Sequence, residues 1–442
     1  MKISKNGCRY KIISHSTANK FAHSLATQSH QSYLVYRSLL RNWRNMMNSF
    51  TTKSTPRTGS KRSLTILAVA VLSTLALVSD TVQAAPLPMP AMTGPLQSPS
   101  PFQFNAGPLG KLDITGVMSG MGVWQDNPVP GDRFTRADIS NGQIFIQKTH
   151  GLIQFFLQAG AYNMPALGTP FLSTGATTSD YYGALPQAYL KIAPTKDFSV
   201  LIGKLPTLIG AEYTFTYENM NIERGLLWNQ ENAVNRGVQV NYSAGPLSAS
   251  LAWSDGFYSN RFNWLSGDLS YTINSANTVS FVGMGNAGQT GYSSLATPVY
   301  QNNSDIYDLI YAYSSGPWMI QPYLQYTHVS ANPAIGVGRG TATKGAAILA
   351  SYSLTPHITL AARAEYIAST GNATDGAVNL MYGPGSKAWS ITVTPTYQDH
   401  DFFARADFSY VQASSYTQGD VFGPQGTNPT QARALVETGF LF

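Results

Sequence analysis

The sequence predicts an all-β fold: a transmembrane antiparallel up-and-down β-barrel of about 16 strands behind a cleaved signal peptide. Three observations predict it. From Gly110 onward, segments of roughly 8–12 residues alternate apolar with small or polar side chains, the period of a strand with unlike faces. Short turns alternate with long loops rich in Gly, Asn, Ser, Thr and Asp along their connections. The chain closes on ARALVETGFLF, with Ala434, Val436, Thr438, Phe440 and Phe442 on one face and Arg433, Leu435, Glu437, Gly439 and Leu441 on the other. No run of about 20 apolar residues occurs beyond residue 84, so helical membrane spans are excluded there.

The front of the chain carries the export signal. Lys61 and Arg62 precede an apolar run from Leu64 to Val78, and Val82-Gln83-Ala84 follows. A basic region, an apolar stretch and small residues at −3 and −1 predict cleavage after Ala84. Residues 1–45 are polar and aperiodic, with Met46 and Met47 just downstream, so translation is expected to start there. The formal charge of +6 belongs to this leader: residues 1–84 hold 12 of the 28 basic residues and one of the 22 acids, leaving −5 on 85–442. The basic pI therefore supports no nucleic-acid partner. Cys8 is the only cysteine and leaves with the leader, which excludes disulfides and a thiol nucleophile from the exported chain.

Residues 85–109 contain seven prolines and read as an extended periplasmic tether. The barrel is expected over 110–442. Turns at 150–151, 194–197, 244–246, 274–277, 315–317, 354–357 and 398–401 each carry Gly, Pro, Asn or Asp, the residues that supply turn dihedrals. The seven hairpins pair 139–149 with 151–162, 185–193 with 198–204, 235–243 with 247–254, 265–273 with 278–286, 304–314 with 318–328, 344–353 with 358–367, and 387–397 with 402–412. A first strand at 110–124 and a last at 432–442 complete the set. Short turns at one end and long loops at the other place the turns and both chain ends on the periplasmic side.

Periodicity alone does not say which face is inside. Export, the strand count and the terminal Phe favour apolar residues on lipid and polar residues on a watery lumen. Aromatics such as Trp253, Trp318, Trp389 and Tyr397 fall near segment ends, where interfacial girdles lie. Five details fit poorly. Pro322 and Pro395 interrupt proposed strands, Lys148 and Lys204 fall on the apolar face, and the phase of 344–353 is ambiguous.

The longest connection is the third, 205–234. It holds Glu212, Glu218, Glu223 and Glu231 against one internal base, Arg224. Around it, Gly203-Lys204 closes a strand, Gly210-Ala211-Glu212 follows, then Asn219, Asn221 and Arg224, and Gly237 opens the next strand. These residues resemble a signature of the outer-membrane β-barrel porins of the OmpL-like group, although Leu226-Leu227-Trp228-Asn229 stands where an aromatic–Pro segment is expected. The resemblance implies an inward-folded third loop that narrows a pore, with Glu212, Glu218, Glu223, Arg224 and Glu231 at the constriction. It also implies that the terminal aromatics, Phe440 and Phe442, act as the signal read by barrel-insertion machinery.

By alternation the lumen wall carries Lys111, Lys191, Arg363, Arg405 and Arg433 with Asp113, Asp268, Asp308, Glu365, Asp407 and Glu437. These charges are expected to face water as screened pairs, each worth about 0–1 kcal/mol. The loop carboxylates are expected to face the wall bases across a narrow aqueous gap, giving modest cation preference.

Catalytic signals are poor. Gly283 to Gly288 matches GxGxxG but no helix pattern follows. His150, His328, His357 and His400 lack ligand spacing, Asp399-His400-Asp401 reads as a polar turn, and no GxSxG occurs. No enzyme activity, cofactor or metal is expected. The expected function is passive diffusion of ions and small hydrophilic solutes across the bacterial outer membrane. The expected partners are outer-membrane lipid, the insertion machinery and the solutes themselves, with a homotrimer among the assemblies this class allows. A structural or adhesive barrel and an outer-membrane hydrolase are the competing readings.

Overall fold

In the computed structural model the described residues are Leu87, 95–293 and 298–442. The leader, the cleavage position and most of 85–94 lie outside them. A short strand β1 (Phe102–Asn105) precedes 16 long ones. The first eight are β2 (Lys111–Gln125), β3 (Thr135–Lys148), β4 (Ile153–Tyr162), β5 (Gln187–Ile192), β6 (Phe198–Pro206), β7 (Val234–Ala244), β8 (Leu247–Ser254) and β9 (Trp264–Asn274). The second eight are β10 (Asn277–Asn286), β11 (Ser304–Ser315), β12 (Trp318–Val329), β13 (Thr341–Ser353), β14 (Ile358–Ser369), β15 (Lys387–Asp399), β16 (Phe402–Ser414) and β17 (Thr430–Leu441). Each long strand pairs antiparallel with its chain neighbours, and β17 pairs with β2, so the sheet closes with no free edge among them. A seven-residue helix, α1 (Thr174–Asp180), sits in the second long loop, where no helical periodicity predicts it.

Every expected strand is present. The boundaries differ most at β3 and β13, which start earlier, at Thr135 and Thr341, because backbone pairing to Trp124 and Val329 continues past the clear side-chain alternation. The prolines coincide with gaps in the ladder. The β11–β12 pairing lapses beside Pro322, and the β15–β16 pairing lapses between Val393 and Thr396, around Pro395, so the missing donors cost no pairing elsewhere. Lys148 and Lys204 sit at strand ends, where their Nζ atoms donate to the carbonyls of His150 and Ile153, and of Tyr182 and Leu185.

Within the expected tether, residues 102–105 form a strand, which the sequence reading does not place there. Phe102–Asn105 lies between prolines and contains none, so it can pair, and it pairs with residues 111–114 of β2. It extends the sheet where β17 stops: Gly116 and Phe442 exchange both backbone hydrogen bonds. The Phe442 ring occupies the space a side chain at residue 116 would need, which explains glycine there.

The outer face is apolar. Trp124, Ile144, Leu251, Trp253, Leu269, Phe281, Leu309, Leu324, Ile348, Tyr366, Trp389, Ile391, Phe408, Val436 and Phe440 are all exposed. Arg363, Glu365, Thr392, Arg405, Asp407, Arg433 and Glu437, on the opposite face, are all buried. This is the inversion expected of a lipid-facing barrel. The interior is not wholly polar. Val117, Phe145, Phe156, Phe403 and Leu441 point inward and pack with Phe215 and Tyr217 of the third long loop.

Candidate functional site

The third long loop, between Pro206 of β6 and Val234 of β7, folds into the barrel and docks on the opposite wall. Short-range geometry shapes it first. Residues 216–218 form one 3-10 turn, whose first free donor, the Phe215 N–H, is accepted by Glu218 Oε2 at 3.1 Å. Asn219 stitches the same corner, accepting from the Tyr213 N–H at 2.7 Å and donating to the Tyr213 carbonyl at 2.6 Å. Phe215 stacks on Tyr217, with Tyr162 edge-on to Phe215 and Phe145 against Tyr217. A small aromatic core therefore anchors the descending limb to β3 and β4.

Three wall arginines hold the rest. Arg363 Nη1 donates to Glu212 Oε1 at 2.6 Å and to the Glu223 carbonyl at 2.7 Å. Arg405 donates to the carbonyls of Thr216, Asn219 and Met220 at 2.8–2.9 Å. Arg433 Nη1 donates to Glu223 Oε1 and to the Ala166 carbonyl, both at 2.9 Å, the latter engaging the second loop.

The wall acids take the loop's donors in turn. Asp407 accepts the Glu223 N–H at 2.8 Å, and Glu365 accepts the Leu226 N–H at 3.0 Å and the Leu227 N–H at 3.3 Å. Glu437 accepts the Thr216 hydroxyl at 2.7 Å, and Asp308 the Gly210 N–H at 2.9 Å. A Cβ at residue 225 would collide with the Glu365 carboxylate, so glycine permits that approach.

Of the wall charges read from the sequence, Asp308, Arg363, Glu365, Arg405, Asp407, Arg433 and Glu437 thus bind the third loop. Asp113 instead accepts from Gln103 and Thr149, Asp268 accepts from Ser270, Lys111 stands exposed at the rim, and Lys191 lies buried on β5. The loop residues lie within one inward-folded segment, in a setting other than an aqueous gap. Glu212, Glu218, Glu223, Arg224 and Glu231 are all buried.

The expectation of loop carboxylates facing wall bases across an aqueous gap is therefore corrected, because the arginine side chains are long enough to close it. The solvated wall ladders are corrected with it. Arg363–Glu365 at 3.2 Å and Arg405–Glu437 at 3.7 Å lie beneath the loop, and Arg433 pairs with Glu223 of the loop. Buried pairs of this kind are costly to break singly, unlike exposed ones.

Arg224 is fully buried against Trp228, and its backbone bridges to Ala166, tying the third loop to the second. Sequence reasoning missed Asn141, Thr216 and Thr394, which bond across this interface, because Thr and Asn are common on any lumen face; Asn221, part of the signature, donates to Thr394.

The loop covers the loop end of β8–β10 and leaves their turn end less covered. Ala252, Ser254, Trp264, Ser266, Val282 and Met284, inward on these strands, are buried, and Trp264, Val282 and Met284 share an apolar cluster with Ile209, Ala211 and Leu226 of the loop, whereas Ser248, Ser250, Asp268, Ser270, Thr278 and Ser280, nearer the turns, are only partly buried. A cavity of about 360 Å³ lies between 206–214 of the loop and Phe156, Gln187, Tyr189 and Gln321. At the turn end a cavity of about 1770 Å³ is lined by 95–102 and by the turns at 316–317, 355–357 and 398–401. Gln97 and Gln398 exchange two hydrogen bonds across its rim. Asp399 there lies 2.8 Å from His400 Nδ1 and 3.7 Å from His357 Nδ1, a polar turn as expected. Among the described residues no group of three or more His, Cys, Asp or Glu could hold a metal ion. The GxGxxG match ends β10 and enters a loop rather than a helix.

A closed 16-stranded barrel with an apolar exterior and an inward-docked third loop defines the porin class. The family model described as "Putative beta-barrel porin-2, OmpL-like" matches residues 111–442, and the chain belongs to that family. It is a bacterial outer-membrane channel protein. Solved structures with the same fold include an anion-selective porin from Comamonas acidovorans, with TM-score 0.52, 11% identity, and 75% of this chain and 99% of that chain covered. The outer-membrane channel DcaP of Acinetobacter baumannii gives TM-score 0.51 and 11% identity over 78% of this chain and 100% of that one. Salmonella typhi OmpF, in complex with daunomycin, gives TM-score 0.50 and 13% identity over 75% and 98%. No curated protein matches the sequence.

Proposed function

We propose that the protein is a general diffusion porin without enzyme activity, whose solutes and ions pass the polar turn-end strip of β8–β10 while the third loop narrows the lumen at the other end of these strands. The observation that carries this reading is the graded burial of that strip. The loop takes up wall charges of β11, β14, β16 and β17 and packs on Trp264, Val282 and Met284, while the serine-rich part of β8–β10 nearer the turns stays partly exposed. Asp268 is the one charged side chain in that strip among the described residues, and it is partly exposed. A fixed charge in a gap comparable with the Debye length of about 8–10 Å biases the local ion concentration. The reading therefore gives weak cation preference set by Asp268 rather than by the loop glutamates.

Asp268→Asn tests it in planar bilayers. Its reversal potential under a salt gradient is expected to move toward anion selectivity at near-constant conductance. An unchanged reversal potential would place the passage elsewhere. Phe440 and Phe442, both outward and exposed, suit the proposed insertion signal. The homotrimer is a further reading, for native mass measurement to decide.

A further inference from the structure

One pair of buried acids has no counter-charge. Glu231, near the end of the third loop, and Asp308 on β11 both approach Gly210: its N–H donates to Asp308 Oδ2 at 2.9 Å, and the Glu231 carboxylate occupies the space a Cβ there would need. Neither acid takes part in any ion pair among the described residues. Arg363, the base of this region, is engaged by Glu212 and Glu365. Glu231 and Asp308 are 7% and 1% exposed. An uncompensated buried carboxylate costs several kcal/mol, and two close together cost more.

The atoms around them are short of a partner of one kind. Glu231 Oε2, Asp308 Oδ1, Gln325 Oε1 and the Tyr323 hydroxyl are all buried without a hydrogen-bond partner. Gln325 is the register partner of Asp308, and Tyr323 lies two residues away on the same inward face. Gln325 Nε2 already donates to Glu231 Oε1 at 2.8 Å, which joins β12 to the loop at this cluster. All four are oxygens, and only the Tyr323 hydroxyl carries a proton to donate, so three acceptors remain that a hard cation would satisfy.

We propose that Glu231, Asp308, Gln325 and Tyr323 form an oxygen-lined site for a hard divalent cation of the Ca²⁺ class, which fastens the returning limb of the third loop to β11 and β12. With two carboxylates it falls short of a three-acid cage, and the amide and phenol oxygens complete the set. Ca²⁺ takes six to eight oxygens in flexible geometry, so waters fill the remainder. Two carboxylates and two neutral oxygens match weak sites of the extracellular kind, with Kd of about 10⁻⁴–10⁻³ M.

The test uses the full chain refolded in detergent, with Ca²⁺ titrated by calorimetry and Tb³⁺ emission displaced by Ca²⁺ as a second readout. Wild type is expected to bind one equivalent, and Glu231→Gln with Asp308→Asn to bind none while retaining barrel circular dichroism. Absence of binding by wild type, or equal binding by the folded double variant, overturns the proposal. If the double variant does not fold, Gln325→Glu decides. A third carboxylate should tighten Ca²⁺ binding at least tenfold, and an unchanged affinity overturns the site.

Discussion

At the scale of single residues, the wall arginines are loop anchors. Arg363, Arg405 and Arg433 are each at most 3% exposed; Arg363 and Arg405 each reach the third loop with two or more hydrogen bonds, and Arg433 joins it to the second. Arg363→Ala leaves Glu212 and Glu365 buried without their base, a loss of about 3–5 kcal/mol by the cost of breaking a buried pair. Denaturant unfolding of the refolded barrel checks this, and a change under about 1 kcal/mol would show the pair to be solvated. Gly225→Val carries no charge change but blocks the approach to Glu365. It is expected to release the same limb, read as raised conductance and greater protease sensitivity within 207–233.

At the scale of elements, the third loop is the part whose state depends on pH. Glu218 lies on the loop, outside the spanning strands, and burial pushes its carboxyl up to about 8. A carboxyl raised above its unfolded value favours the protonated folded form. Its contribution is complete below about 4.5 and is lost as pH rises through about 8. The loop is therefore expected to loosen on the alkaline side, with conductance rising above that pH, and Glu218→Gln is expected to abolish the rise. A flat profile in wild type would contradict this.

The strands were legible in the sequence because period-two alternation and turn residues are local signals, and each hairpin carried both. The short strand Phe102–Asn105 was not, since seven prolines around it masked a four-residue stretch that pairs only because β17 ends at that level. The wall charges were legible by parity. Their partners were not, because whether Arg405 meets water or the carbonyls of 216, 219 and 220 depends on where a 27-residue loop lands, and alternation says nothing of that.

At the scale of the whole molecule, a sheet closed by β17 against β2 presents an apolar exterior and encloses a lumen that one loop divides. Closure rests on the last strand, so deleting Phe442 is expected to remove its two backbone bonds with Gly116 and lower the yield of folded barrel in outer membranes, measured by heat-modifiable mobility. The loop docks on β11, β14, β16 and β17 and packs on the loop end of β9 and β10, and the turn-end strip on β8–β10 stays partly open. That division is the central claim, and single-channel recording of the refolded protein in planar bilayers tests it most directly. The account predicts stable ohmic steps, enlarged when the loop is released by Gly225→Val. A folded barrel that gives no conductance in either form would contradict it and favour a purely structural or adhesive barrel.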